Sequence, residues 1–140
     1  METAGPVVVT LRPMTHADIE AVAHLERATF GSGWTVNAYV TELANPAAVY
    51  LVAEIDRAVV GFCGFHAIMD EAHVTTIAVD PAWRGRKIGE RLLCGMLLLA
   101  LERGAVRATL EVRSSNRPAQ ALYANYGFVH AAIRKGYYAD

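Results

Sequence analysis

The sequence predicts a mixed α/β (α+β) domain: a central, mixed, mostly antiparallel sheet flanked by helices on both faces. Two observations carry that prediction. Helical and β-rich runs follow one another in the order β-α-α-β-β-β-α-β-α-β, and three consecutive β-rich runs make a meander with helical runs on either side. The chain has 140 residues, of which 54% are hydrophobic and 19% charged, so it has the apolar content to fold around such a sheet. At this length one domain buries roughly two-thirds of its unfolded surface. A single domain over residues 1–140 is expected, without repeat, linker or low-complexity segment.

Residues 1–6 read as a loose tail and Val7 to Arg12 as a short strand. Thr15 with Asp18 three residues later is close to a capping box, opening a helix to Thr29 that Gly31-Ser32-Gly33 breaks. Thr35 caps a second, short helix to Leu43, ended by Asn45-Pro46. Ala47 to Ile55 and Ala58 to Ile68 flank Asp56-Arg57 and form a hairpin. Asp70-Glu71 turns the chain into a strand from Ala72 to Val79. A glycine-bearing loop then feeds a helix to Arg103, with Gly104 at the stop position. Ala105 to Arg113 is a strand, and Asn116 caps a helix with Pro118 in its first turn and Gly127 at its end. Phe128 to Arg134 is the last strand, followed by Gly136-Tyr137-Tyr138.

Composition narrows the function classes. A net charge of −1 gives no global attraction to nucleic acid or to an anionic membrane, so direct nucleic-acid binding and membrane association are not expected. The apolar run Leu92 to Leu101 is about half of what a membrane span needs. Cys63 and Cys94 have no C-x-x-C spacing and read as buried thiols in a reducing cytoplasm. The five histidines are scattered without an i,i+4 pair, so no metal is expected.

The most informative segment runs from Ile77-Ala78-Val79 through Asp80-Pro81-Ala82-Trp83 into Arg84-Gly85-Arg86-Lys87-Ile88-Gly89-Glu90. A strand, a basic glycine loop and a helix N-terminus in that order aim backbone N–H groups and a helix dipole at a phosphate. A solvated basic turn would look similar. Neither G-x-x-x-x-G-K-[ST] nor G-x-G-x-x-G is present, which argues against a P-loop and a dinucleotide fold. Arg84 to Gly89 nearly matches Q/R-x-x-G-x-G/A, with Lys87 in place of the first glycine of that pattern. The chain thus resembles the GNAT superfamily of acetyl-CoA-dependent N-acetyltransferases, whose pyrophosphate loop has this form.

A second constellation is Leu110-Glu111-Val112-Arg113-Ser114-Ser115-Asn116, followed by Ala121-Leu122-Tyr123 and Tyr126-Gly127-Phe128. Glu111 lies in an otherwise apolar strand, where a carboxylate is costly unless paired or wet; Arg113, on the same face, could neutralise it. Tyr123 could pack in the core. Together these segments resemble the RimI-type branch of the superfamily, which acetylates protein N-termini. The resemblance covers Leu11 to Tyr138. It implies Glu111 as the base that deprotonates the amine and Tyr123 as the acid that protonates the leaving thiolate. It further implies Asn116 as a pantetheine contact, Ile77, Ala78 and Val79 as the strand meeting the acetyl and pantetheine amides, and Gly85 to Glu90, beside Arg84, as the pyrophosphate cradle. Trp34 and the pair Tyr137-Tyr138 are implied on the acceptor side.

The resemblance implies acetyl-CoA as co-substrate, a cytoplasmic enzyme, and a ribosomal substrate: the N-terminal alanine of a small-subunit ribosomal protein, acetylated by direct attack in a ternary complex. The chemistry is consistent. An α-amine with pKa about 7.7–8.0 is roughly 10% neutral at pH 7, against well under 0.1% for a lysine near 10.4, so a single carboxylate base suits the former better. A small-molecule or lysine acetyltransferase, and a non-catalytic acetyl-CoA-binding regulatory module, are the alternatives. The oligomeric state is not legible. The sequence stops at Asp140, where RimI-type proteins continue into one more strand. Lys87 must reach the cradle conformation without glycine's freedom at positive φ.

Overall fold

Residues 8–30 and 35–110 are described by the structure, a computed structural model. Among the described residues five strands form one sheet in the order β1-β2-β3-β4-β5: β1 Thr10–Pro13, β2 Ala48–Ile55, β3 Ala58–Ile68, β4 Glu71–Val79 and β5 Arg107–Leu110. The first four pair antiparallel and β4 pairs β5 in parallel, with Glu71 opposite Arg107 and Val74 opposite Leu110. A parallel pair needs a crossover, and helix α3 (Ile88–Glu102) supplies it. Helices α1 (Ile19–Phe30) and α2 (Val36–Leu43) connect β1 to β2.

Alternation along β2 explains why Ala48 to Ala53 is apolar without a break. Leu51, Ala53 and Ile55 join a core with Cys63, Phe65, Ala72, Val74, Ile77 and the α3 residues Ile88, Leu92, Leu93 and Met96. Tyr50 and Val52 point the other way and pack with Phe62, Ala78, Val22 and Leu25 of α1 and Tyr39 of α2. Both faces are covered, as that apolar run requires.

Local chemistry sets the boundaries. Asp56 and Arg57 have φ of 49° and 67°, the two positive values of a type I′ turn, so the expected hairpin forms without a glycine. Helix α3 ends as Gly104 predicts. Gly104 has φ 90°, its N–H donates to Leu101 and the Ala105 N–H donates to Ala100, which satisfies two terminal carbonyls. That use of Ala105 moves the following strand, expected from Ala105, to Arg107. The strand expected from Val7 begins at Thr10, and β4 begins at Glu71, one residue before the expected Ala72. His16–Asp18 form a short 3₁₀ turn before α1, because the Asp18 carboxylate is engaged by its surroundings. It accepts from the Thr15 N–H (2.8 Å) and hydroxyl (3.1 Å) and from both terminal nitrogens of Arg12 (2.7 and 2.8 Å). The helix expected after Asn116 and the strand expected from Phe128 lie outside the described residues.

One irregularity lies within β4. Gly64 faces Thr76 and Phe65 faces Val74, leaving Thr75 as an extra residue in β4. This bulge resets the alternation, so that Ala72, Val74 and Ile77 all reach the α3 core despite their uneven spacing.

Candidate active site

The loop after β4 is built from short-range bonds. The Asp80 N–H donates to Val60 (2.8 Å), and the Asp80 carboxylate accepts from the Ala82 N–H (2.9 Å), fixing a 3₁₀ turn over Pro81–Trp83. Trp83 is half-buried against the α3 core, and the Arg86 guanidinium lies 4.9 Å above its ring centre. That cation–π contact ties one basic residue of the loop to an anchored side chain. Arg84, Gly85, Arg86, Lys87 and Arg91 are exposed, while Ile88 is buried and Gly89 and Glu90 are half-buried.

Two residues bend the loop into the helix. Gly85 has φ 81°, and a side chain there would meet nothing within 4 Å. Lys87 has φ 62° and ψ 21°, a left-handed conformation, directly before α3. The sequence expectation for Lys87 is met: a lysine occupies a backbone position that favours glycine. The first helical bond of α3 runs from the Arg91 N–H to the Lys87 carbonyl (3.2 Å), so the N–H groups of Ile88, Gly89 and Glu90 precede the first intrahelical acceptor. Donors without an intrahelical acceptor, the positive end of a 15-residue helix dipole and four nearby cations suit a pyrophosphate.

Strand β4 leads into this loop. Its described pairing with β5 ends at Val74, one residue before the bulge at Thr75. Ile77 is buried on the α3 side, Ala78 on the α1/α2 side, and Val79 is half-buried. An extended backbone of this kind suits an extended amide-bearing ligand.

The sequence profile of the acetyltransferase (GNAT) family matches residues 19–128. The chain belongs to that family. It is a GNAT N-acetyltransferase, and relatives over nearly its whole length agree. A Bacillus subtilis protein, provisionally named a ribosomal protein bS18-alanine N-acetyltransferase, is 44% identical over 93% of this chain and 87% of its own. The N-alpha-acetyltransferase RimI of Mycobacterium tuberculosis is 39% identical, covering 97% of this chain and 88% of that protein. The crystal structure of the ribosomal-protein-S18-alanine N-acetyltransferase from Escherichia coli superposes with a TM-score of 0.81 at 28% identity, over 93% of this chain and 83% of that one. The expected GNAT fold, with its mixed, mostly antiparallel sheet, is therefore correct.

Of the expected site residues, Ile77 to Val79 and Arg84 to Glu90 lie together on β4, the loop and the first turn of α3. Glu111, Asn116, Tyr123, Trp34, Tyr137 and Tyr138 lie outside the described residues. The two cysteines differ. Burial pushes the Cys63 thiol up to about 12, which makes it a packing residue and no nucleophile. Cys94 is exposed on α3, contrary to the expectation that both are buried: the apolar run around it masks an outward-facing position.

Sequence reading missed one polar cluster. Glu42 on α2 accepts at Oε1 from the Tyr50 hydroxyl on β2 (2.8 Å) and from His66 Nε2 on β3 (2.6 Å). The signal for it was Gly64, a glycine inside a β-run, which marks a close approach. A Cβ on Gly64 would lie 2.5 Å from the Tyr50 ring.

Proposed function

We propose that this chain transfers the acetyl group of acetyl-CoA to a protein N-terminal amine, that of the N-terminal alanine of a small-subunit ribosomal protein. The observation that carries this reading is identity of 39–44% across nearly the whole chain to proteins named for α-amine or bS18-alanine acetylation. The loop geometry supports it. The α3 N-terminus, Arg84, Gly85, Arg86 and Lys87 hold the pyrophosphate, and the backbone of Ile77 to Val79 holds the pantetheine arm together with Asn116. Acetyl-CoA supplies an activated thioester carbonyl; the residues of the chain must handle two protons.

In this mechanism Glu111 takes the proton from the acceptor ammonium, so that the neutral nitrogen forms the new C–N bond. A backbone N–H of the Ile77–Val79 region steadies the charge on the carbonyl oxygen. The C–S bond breaks, Tyr123 gives its proton to the departing sulfur, and the second proton of the nitrogen, made acidic by the new C–N bond, restores the Tyr123 hydroxyl. Trp34, Tyr137 and Tyr138 bound the acceptor peptide. Attack is direct, and the inert Cys63 takes no part.

The test is a mass-spectrometric assay with acetyl-CoA and peptides of varied first residue. Peptides carrying the N-terminal sequence of the ribosomal protein with alanine first should be acetylated on the α-amine. Acetylation confined to lysine side chains or to free small amines overturns the reading. Within it, Glu111→Gln keeps size and removes the base, so kcat should fall by ~10²–10⁴ with acetyl-CoA affinity unchanged. Retention of more than about a third of the rate at neutral pH removes Glu111 from the role.

A further inference from the structure

The Glu42 cluster lies outside the loop and strand assigned to acetyl-CoA, and the mechanism above leaves it unused. Its construction is specific. Tyr50 starts on β2, lies across β3 at the position where Gly64 offers no side chain, and carries its hydroxyl to Glu42. Tyr50 is only 5% exposed, and its ring meets Tyr39 of α2 edge-on, at 6.3 Å between centres. His66 reaches the same carboxylate oxygen from the end of β3, with the Glu42 side chain 14% exposed.

A carboxylate so nearly buried is an expensive way to hold a helix. Helix α2 has eight residues, too few to be stable alone, and Tyr39 and Leu43 already give it apolar anchorage. Apolar contacts resist separation but tolerate sliding and rotation. Two hydrogen bonds from different strands onto one carboxylate oxygen fix the rotation of α2 and its height above the sheet.

Helix α2 begins directly after the segment assigned to the acceptor. Thr35 caps it, its side chain accepting from the Ala38 N–H (3.2 Å), and residues 31–34, including Trp34, come immediately before. We propose that Glu42, held by Tyr50 and His66, is a positioning residue for the acceptor: by fixing α2 it fixes the helix N-terminus at Thr35, the residue that follows Trp34 in sequence, and so governs peptide binding and leaves acetyl-CoA binding alone. This rests on the acceptor reading above.

The experiment measures peptide KM and kcat by acetyl transfer, and acetyl-CoA Kd by calorimetry, for Glu42→Ala, Glu42→Gln and Tyr50→Phe. Glu42→Ala should raise peptide KM about fivefold or more, with kcat within about twofold and acetyl-CoA Kd unchanged. Glu42→Gln keeps an acceptor oxygen for both donors and should restore KM to within about twofold of wild type. Tyr50→Phe removes one of the two bonds, keeps the packing, and should show a smaller rise in KM; it decides the matter if Glu42→Ala does not fold. Unmoved KM in the variants that fold, an acetyl-CoA Kd that rises in step with KM, or a Glu42→Gln as impaired as Glu42→Ala overturns the proposal. A wild type that acetylates no peptide α-amine overturns the acceptor reading and this proposal with it, whereas normal wild-type turnover with unmoved variants overturns this proposal alone.

Discussion

Lys87 concentrates the residue-scale physics of the loop. A left-handed backbone costs an ordinary residue roughly 1–2 kcal/mol, and the chain accepts that cost at the point where α3 must begin facing the loop. Lys87→Gly should therefore stabilise the protein by about 0.5–1 kcal/mol, less than the full strain because glycine also loosens the unfolded chain. The neighbouring Gly85→Ala should do the reverse, losing about 1 kcal/mol through backbone strain alone, since the added methyl group meets nothing within 4 Å. Urea midpoints for the two variants, moving in opposite directions, check both statements. Equal shifts of the same sign would mean that the loop relaxes out of this geometry.

The β2–β3 hairpin makes the corresponding point for whole elements. Its turn is held by two non-glycine residues at positive φ, Asp56 and Arg57. Replacing them by Asn-Gly should raise stability by about 1 kcal/mol without altering the strand register; an unchanged thermal midpoint would show that register, and not the turn, sets the stability of the hairpin. Elements of this kind were legible in the sequence because their signals are local. Asp56-Arg57 between two apolar runs, Thr35 before α2, and Gly104 after α3 each act within a few residues. Strand ends were less legible because they depend on partners far along the chain. The start of β5 is set where the α3 cap and the Val106 N–H, bonded to Asp70 (2.7 Å), hand the backbone over to β4. The backbone of the loop after β4 was legible for the same local reason, down to the positive φ at Lys87. The Glu42 cluster was not, since three residues from α2, β2 and β3 meet only once the sheet is registered.

At the scale of the molecule, the ion network joining β1, the first turn before α1 and β2 couples folding to pH. Arg12 binds Asp18 through two nitrogens and Glu54 through one (3.2 Å). The hydrogen bonds from Arg12 hold the Asp18 carboxyl at about 2, against burial, with Thr15 contributing; the ordinary value is 3.8. A carboxyl depressed on folding stabilises the native state above its unfolded value and ceases to do so as pH falls through the folded one. About 2 kcal/mol should be lost between roughly pH 4 and pH 2, and Asp18→Asn should flatten that part of the stability profile. Denaturant midpoints at pH 6, 4 and 2.5 check it: parallel profiles for wild type and Asp18→Asn would assign the acid sensitivity to other carboxyls.

The contrast between the two cysteines has a use outside catalysis. Cys63 and Cys94 are the only thiols in the chain, one sealed between β3 and α3, the other on the outer surface of α3. A thiol reagent will modify Cys94 at a rate set by its own chemistry, and Cys63 only when the sheet and α3 part. With Cys94 replaced by serine, labelling of Cys63 becomes a clock for that opening. Its rate under native conditions, and the slowing of that rate when acetyl-CoA is added, would show how tightly ligation in the loop holds the crossover helix to the sheet.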